Sequence, residues 1–196
     1  MSNVSTEVLR RRSYEWKKMS AGVAWYFNDR EIFVHDSADT VVGQLASSAT
    51  AEGLHIESEQ HKEWRSSVGV LQRELQEHAS EIELLKSALA PKDLIEFRHV
   101  LLEFDFRRRG LRMDCVLLGD GVIVVIEFKR SKLGAADRDQ VTNYAVNLVE
   151  FHEETRRLVS DTQCIVAPVL ALTDSRNYQK REFQSGFLRG PWASVM

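Results

Sequence analysis

The sequence predicts an α/β fold in which helices cover a mixed central sheet. Three observations carry that prediction. An amphipathic stretch at 57–89 has helical spacing, three strand-like runs follow it between 94 and 129, and a second helical pattern at 136–158 separates these from a fourth strand-like run at 163–172. With 196 residues and 43% hydrophobic content, the chain is the size of one domain with an appended segment and can fill a core.

The elements follow in order. Residues 5–20 are charged and read as helical, and 37–49 read as a short helix with Ser37 as N-cap. Over 57–89, Trp64, Val68, Leu71, Leu75, Ile82 and Leu85 recur at threes and fours and make one apolar face, which Pro91 ends. A coiled coil competes for this stripe, but the His78 and Ser80 region breaks the seam, so packing on a sheet is favoured. Residues 94–106, 111–118 and 122–129 are rich in branched and aromatic side chains and read as strands. The helix at 136–158 has Tyr144, Leu148, Phe151 and Leu158 as its stripe. The last strand, 163–172, contains Pro168, which marks an edge or a bulge. The expected organisation is an N-terminal helical segment at 1–56, a core at 57–180 and an irregular tail at 181–196.

Between the second and third strands lies Gly119-Asp120-Gly121. Asp-Gly favours a two-residue hairpin turn, because that turn needs positive φ at both central positions. With Asp120-Gly121 as the loop, paired positions place Asp114 opposite Glu127 and Arg112 opposite Lys129. Opposed side chains share a sheet face, as do residues two apart on one strand. Asp114, Glu127 and Lys129 are therefore expected to converge on one patch.

Two carboxylates and an ammonium in an apolar sheet are costly unless they serve one another or a ligand. A divalent cation removes the repulsion of the opposed carboxylates, and hard oxygen ligands select Mg²⁺ or Mn²⁺. The Phe128 carbonyl between them is a further candidate ligand. A metal with open positions holds a phosphate oxygen and lowers the pKa of a water, which Lys129 can orient or deprotonate. The competing reading is a plain salt bridge at the end of a hairpin. Gln140 and Tyr144 stand at i and i+4, hence on one helix face. There an amide can meet a phosphate or the attacking water, and a tyrosine can stack on or bond to nucleic acid.

Charge points the same way. The formal net charge is −3, yet residues 107–132 hold seven basic side chains against three acidic ones. Arg107, Arg108, Arg109, Arg112, Arg130 and Lys132 are candidate contacts to a phosphate backbone; the alternative is a solvated edge protected by charge. Cys115 and Cys164 sit in apolar runs and read as buried, reduced thiols of a cytoplasmic protein. No signal-peptide core is visible, and no apolar run reaches the length of a membrane span. His99 and His152 have no partner at metal spacing and read as structural.

The set Asp114…Glu127-x-Lys129…Gln140-x-x-x-Tyr144 resembles the PD-(D/E)xK nuclease superfamily, and its Q-x-x-x-Y element is similar to that of the RecB-type and CRISPR-adaptation exonuclease branch. The resemblance covers roughly 94–172. It implies a restriction-endonuclease-like αβββαβ core and a Mg²⁺-dependent nuclease. In that scheme Asp114 and Glu127 are metal ligands, Lys129 is the catalytic lysine, and Gln140 and Tyr144 border the site. Met113 stands where the motif proline is expected. The superfamily often carries one more acidic residue upstream, for which Glu103 and Glu74 are candidates. Segments 27–45, 63–75 and 101–118 also resemble N-terminal nuclease-like domains of bacterial proteins that carry a helicase-type ATPase. The chain has no G-x-x-x-x-G-K-[S/T] motif, so such an ATPase is expected as a partner or as a part outside this stretch. The expected function is hydrolysis of DNA phosphodiester bonds in repair, restriction or phage defence. Two alternatives stand beside it: a catalytically silent module of the same fold that binds nucleic acid or an ATPase, and an RNA or tRNA nuclease.

Overall fold

A computed structural model describes residues 23–85, 95–162 and 164–174 of the chain. The helix expected at 5–20, the stop at Pro91 and the tail at 181–196 lie outside the described residues. The elements run β1 (Ala24–Asp29), α1 (Arg30–His35), α2 (Ala38–Ala51), α3 (Ser58–Leu85), β2 (Phe97–Phe106), β3 (Leu111–Gly119), β4 (Val122–Lys129), α4 (Ala135–Phe151), α5 (Glu153–Thr162) and β5 (Ile165–Leu172). They form one five-stranded sheet in the order β1-β2-β3-β4-β5. The first four strands are antiparallel neighbours, and β5 joins β4 in parallel. The sheet is mixed and carries helices, as the hydrophobic periods require.

Helices cover both faces. Phe33 of α1, Val41 and Leu45 of α2, and Trp64, Val68, Leu71 and Leu75 of α3 pack with Val100, Leu102, Cys115, Leu117 and Ile126. Val141, Tyr144 and Leu148 of α4 and Leu158 of α5 pack with Leu101, Val116, Leu118, Ile123 and Val125 on the other face. The α3 stripe is buried as its spacing predicts, through Ile82; the Leu85 side chain lies outside the described residues. Ser37 caps α2, its Oγ accepting from the Thr40 N–H at 3.1 Å. Pro168 lies on β5, an edge strand among the described residues, where a missing N–H is tolerated.

Three differences from the sequence reading have local causes. Residues 24–29 were expected in a helical segment, but they form β1 and pair antiparallel with β2 from Ala24↔Phe104 to Asp29↔His99. A six-residue run on a sheet edge has a weak local signal, and its pairing with β2 decides its state. Residues 24–51 accordingly share a core with α3 and the sheet. The single helix expected at 136–158 is broken at His152, whose backbone is extended (φ −94, ψ 108). Its ring Nδ1 accepts from the Thr155 N–H at 3.3 Å and so caps α5. Phe151 was expected in the apolar stripe; the break leaves it 41% exposed.

The hairpin has the expected register from Gly119↔Val122 to Cys115↔Ile126, but the ladder ends one step short of the expected Asp114–Glu127 pair. Of the two turn residues Gly121 alone has positive φ, at 76, so the turn is not the expected type with positive φ at both positions. Its tip is clasped from the neighbouring strand. The Arg98 guanidinium forks onto Asp120, with Nε donating to Oδ1 at 2.7 Å. Gly119 leaves no room for a side chain: a Cβ there would stand 2.9 Å from Val122 Cγ1 and 3.0 Å from the Glu96 carbonyl oxygen. Gly119→Ala is expected to cost about 1–3 kcal/mol of stability by overpacking, measured by urea denaturation. An unchanged midpoint would show that this corner yields.

Candidate active site

Side-chain alternation places the site. On β3, Val116 and Leu118 face the α4–α5 layer, while Cys115 and Leu117 face the α1–α3 layer. Continued alternation would send Met113, Phe104 and Phe106 to the α1–α3 side, but all three join the α4–α5 cluster. The inversion falls at Glu103 and Asp114, which the β2–β3 register brackets between Leu102↔Cys115 and Phe104↔Met113. Glu103 has φ 50, the sole left-handed non-glycine residue among the described residues.

At the same level β3 and β4 part. Their ladder runs down to Cys115↔Ile126, whereas β4 stays with β5 through Lys129↔Leu172. The gap is filled by the Asp114 carboxylate, whose Oδ2 accepts from the Phe128 N–H at 2.8 Å. The amide of Phe128, rather than its carbonyl, is the group that meets Asp114. The gap opens into a cleft of about 600 Å³. The α3 residues Glu59, Gln60, Glu63, Trp64 and Ser67 line one side, and Glu103, Asp114, Glu127, Lys129 and Arg130 line the other.

Glu127 is the hub. It is 5% exposed. Its Oε1 accepts from Lys129 Nζ at 2.9 Å and from Gln140 Nε2 at 2.9 Å. Its Oε2 is buried and has no hydrogen-bond partner. Gln140 Nε2 also donates to the Tyr144 hydroxyl at 2.8 Å, and its Oε1 accepts from Lys129 Nζ at 3.4 Å. Lys129 reaches Asp137 Oδ1 as well, at 3.3 Å. Asp137 is set for this by the start of α4, where its Oδ2 accepts from the Gly134 N–H at 2.8 Å. Thus Asp114, Glu127, Lys129, Gln140 and Tyr144 do come together.

The electrostatics follow from burial. Asp114 is pushed up to about 8, first by burial and then by the charge of Glu127, against the hydrogen bond from Phe128. Burial also raises Glu103, although the Trp64 hydrogen bond and the charge of Arg112 oppose it. For Lys129 burial acts downward, but hydrogen bonds and charge from Glu127 and Asp137 outweigh it, and the net shift is up. The ammonium is therefore held, and it suits charge balance and orientation better than proton abstraction. Burial raises the Tyr144 hydroxyl too, so it stays neutral.

The donor chemistry suits a hard divalent cation. Among the described residues no group of three or more His, Cys, Asp or Glu side chains is assembled to hold a metal by itself. Mg²⁺ does not ask for one: it keeps several waters and is commonly bound through one or two carboxylates plus substrate phosphates. Glu127 has a buried Oε2 without a partner and its charge raises Asp114, an arrangement that a cation would relieve.

The other candidates are scattered. Glu74 pairs with Arg73 at 3.2 Å and does not line the cleft. Glu103 does line it, and its Oε1 accepts from the Trp64 indole N–H at 2.7 Å. Arg112 does not lie beside Lys129, because the strands have already parted. It pairs with Asp105 across β2, lies 3.9 Å over the Trp25 ring and reaches Glu52 at 3.4 Å. Arg107 pairs with Asp105 and Glu52. Arg109 donates to Asn147 and lies 4.4 Å over Phe151. The Arg108 side chain lies outside the described residues. Arg130 stands at the cleft mouth, 3.2 Å from Glu59, and Lys132 is exposed in the loop after β4. Sequence reasoning missed Asp137 and Trp64; the first was visible as an acid in the first turn of a helix, and the second was read only as part of an apolar stripe.

Comparison of the chain with family models, curated proteins and solved structures finds no match.

The raised Asp114 has a consequence for stability. The folded state holds this proton more tightly than the unfolded chain, whose carboxyl has the ordinary value of 3.8. The contribution is full below about pH 4 and is lost progressively as pH rises toward about 8. In metal-free buffer the melting temperature is expected to fall over that window. Asp114→Asn keeps an acceptor for the Phe128 N–H and should flatten the fall. An identical pH profile for the variant would reject the assignment.

Proposed function

We propose that the chain is a metal-dependent nuclease of the PD-(D/E)xK type that hydrolyses phosphodiester bonds of DNA. The observation that carries this reading is the hydrogen-bonded set Glu127–Lys129–Gln140–Tyr144 beside Asp114, with one buried Glu127 oxygen left bare. It matches in space the residues that the sequence resemblance singles out. A plain structural salt bridge would not need a second carboxylate in the gap or an unsatisfied oxygen.

Asp114 and Glu127 would hold Mg²⁺ or Mn²⁺, with the Phe128 carbonyl as a further oxygen donor and Glu103 on the cleft wall beside them. The ion, when bound, supplies Lewis-acid activation of a water and of the phosphoryl group. The chain's own residues do the rest. Lys129 keeps its proton and offers a fixed positive charge to a phosphate oxygen or the attacking water. Gln140 holds Lys129 and Glu127 in register, and Tyr144 fixes the amide of Gln140. The cleft is formally acidic: Glu59, Glu63, Glu103, Asp114 and Glu127 face Lys62, Lys129 and Arg130. Five carboxylates against three cations repel a phosphate backbone until divalent cations compensate, which makes the metal a condition of binding as well as of chemistry.

The test is an assay on linear double-stranded DNA, single-stranded DNA and RNA with Mg²⁺, Mn²⁺ or EDTA. Cleavage is expected with either metal and none with EDTA. Lys129→Ala should lose about 10²–10³-fold in rate, the scale of removing one transition-state charge partner. Asp114→Asn should lose activity while remaining folded. Cleavage that survives EDTA or both substitutions would overturn the reading, and cleavage confined to RNA would move the substrate class. Metal-free binding without turnover in any buffer would favour the silent module.

A further inference from the structure

Trp64 lies on the face of α3 that packs on the sheet and is 6% exposed. Trp25 meets it edge-on at 5.9 Å, and Trp25 in turn lies under the Arg112 guanidinium. The His61 ring stands edge-on to Trp64 as well, at 5.9 Å, so the ring is held on more than one side. A buried indole needs a partner for its N–H, and here the partner is Glu103 Oε1 at 2.7 Å. A bond to a carboxylate is charge-assisted and roughly twice as strong as a neutral one.

The Glu103 backbone is a second, independent observation. Its φ of 50 is unfavourable for a residue with a Cβ, by about 1–3 kcal/mol, and persists only where the surroundings enforce it. Relaxed alternation would point Glu103 to the α4–α5 layer with Leu101. Instead it lines the cleft with Asp114 and Glu127. The indole bond is the contact that opposes relaxation. It occupies Oε1 and leaves Oε2 as the oxygen available to a ligand.

We propose that Trp64 is a positioning residue whose indole N–H holds Glu103 in the cleft, where its second oxygen would meet the hydration shell of a cation carried by Asp114 and Glu127. The proposal rests on the divalent-cation reading of the site. It makes α3 a working part of the site as well as a cover for the sheet.

The test is Mn²⁺ titration of the full chain by isothermal calorimetry without nucleic acid. Trp64→Phe keeps an aromatic ring against Trp25 and removes only the donor. It is expected to weaken Mn²⁺ binding by about 10-fold, the scale of losing an outer-shell hydrogen-bond partner. Glu103→Gln should weaken binding similarly, and the double variant should be no worse than Glu103→Gln alone, because the two act through one carboxylate. A Trp64→Phe variant that binds as tightly as the wild type, or whose loss is unchanged in the Glu103→Gln background, overturns the role. Should Trp64→Phe fail to fold, Glu103→Asp draws the carboxylate back from the indole without touching α3, and wild-type affinity in that variant overturns it equally. A wild-type chain that takes up no Mn²⁺ removes the cation reading itself, whereas binding by the wild type with no effect of Trp64→Phe removes the Trp64 role alone.

Discussion

The parting of β3 from β4 below Cys115↔Ile126 is the constraint on which the rest of the site depends. Two paired strands present a closed ladder with no room for a ligand. Once they separate, the Phe128 N–H needs a new acceptor inside the protein, and Asp114 provides it from the opposite strand. That single bond draws a carboxylate into the sheet and sets it against Glu127. Because β4 remains paired with β5, Glu127 and Lys129 stay on a rigid strand while the gap opens beside them. The helices then differ in role: α4 brings Gln140 and Tyr144 to Glu127, and α3 walls the cleft.

The balance of charge here works against stability. A sheet interior that holds Asp114, Glu127 and Glu103 within electrostatic reach of one another is unfavourable in the absence of a ligand. The protein satisfies the groups unevenly. One oxygen of Glu127 has two donors and the other has none. A region built only for stability would pair both oxygens or replace the acids with apolar side chains. Carboxylates crowded into one pocket beside two well-packed clusters are the pattern expected where stability has been given up for binding.

Much of this was legible in the sequence, and the reason is local. An Asp-Gly turn sets a register, and a register sets faces, so Asp114, Glu127 and Lys129 could be brought near one another from position alone. Asp114 and Glu127 nevertheless lie one step past the end of the ladder, and Asp114 reaches the Phe128 N–H instead of pairing across it. Helical spacing did the same for Gln140 and Tyr144. What could not be read depended on pairing between distant elements or on a single capping contact. β1 is a strand because β2 accepts it, and the 136–158 helix breaks because His152 caps a new one. Arg112 was placed by extending the hairpin past the point where it exists. Glu103 was read as an auxiliary acid, since a strand's period carries no sign of a left-handed residue that turns its side chain toward a helix.

The clasp of Arg98 on Asp120 ties the hairpin tip to β2 at the end remote from the cleft. A slip of one residue between β3 and β4 would send Glu127 to the wrong face, yet it would cost little in hydrogen bonds, since either register can form a ladder. Hydrophobic burial alone guards weakly against such a slip here, because branched apolar residues fill both faces of β4. The guanidinium fork reads the position of one turn residue and so favours the native register over a slipped one. A contact at the far end of the hairpin thereby helps to decide which face of the sheet Glu127 occupies.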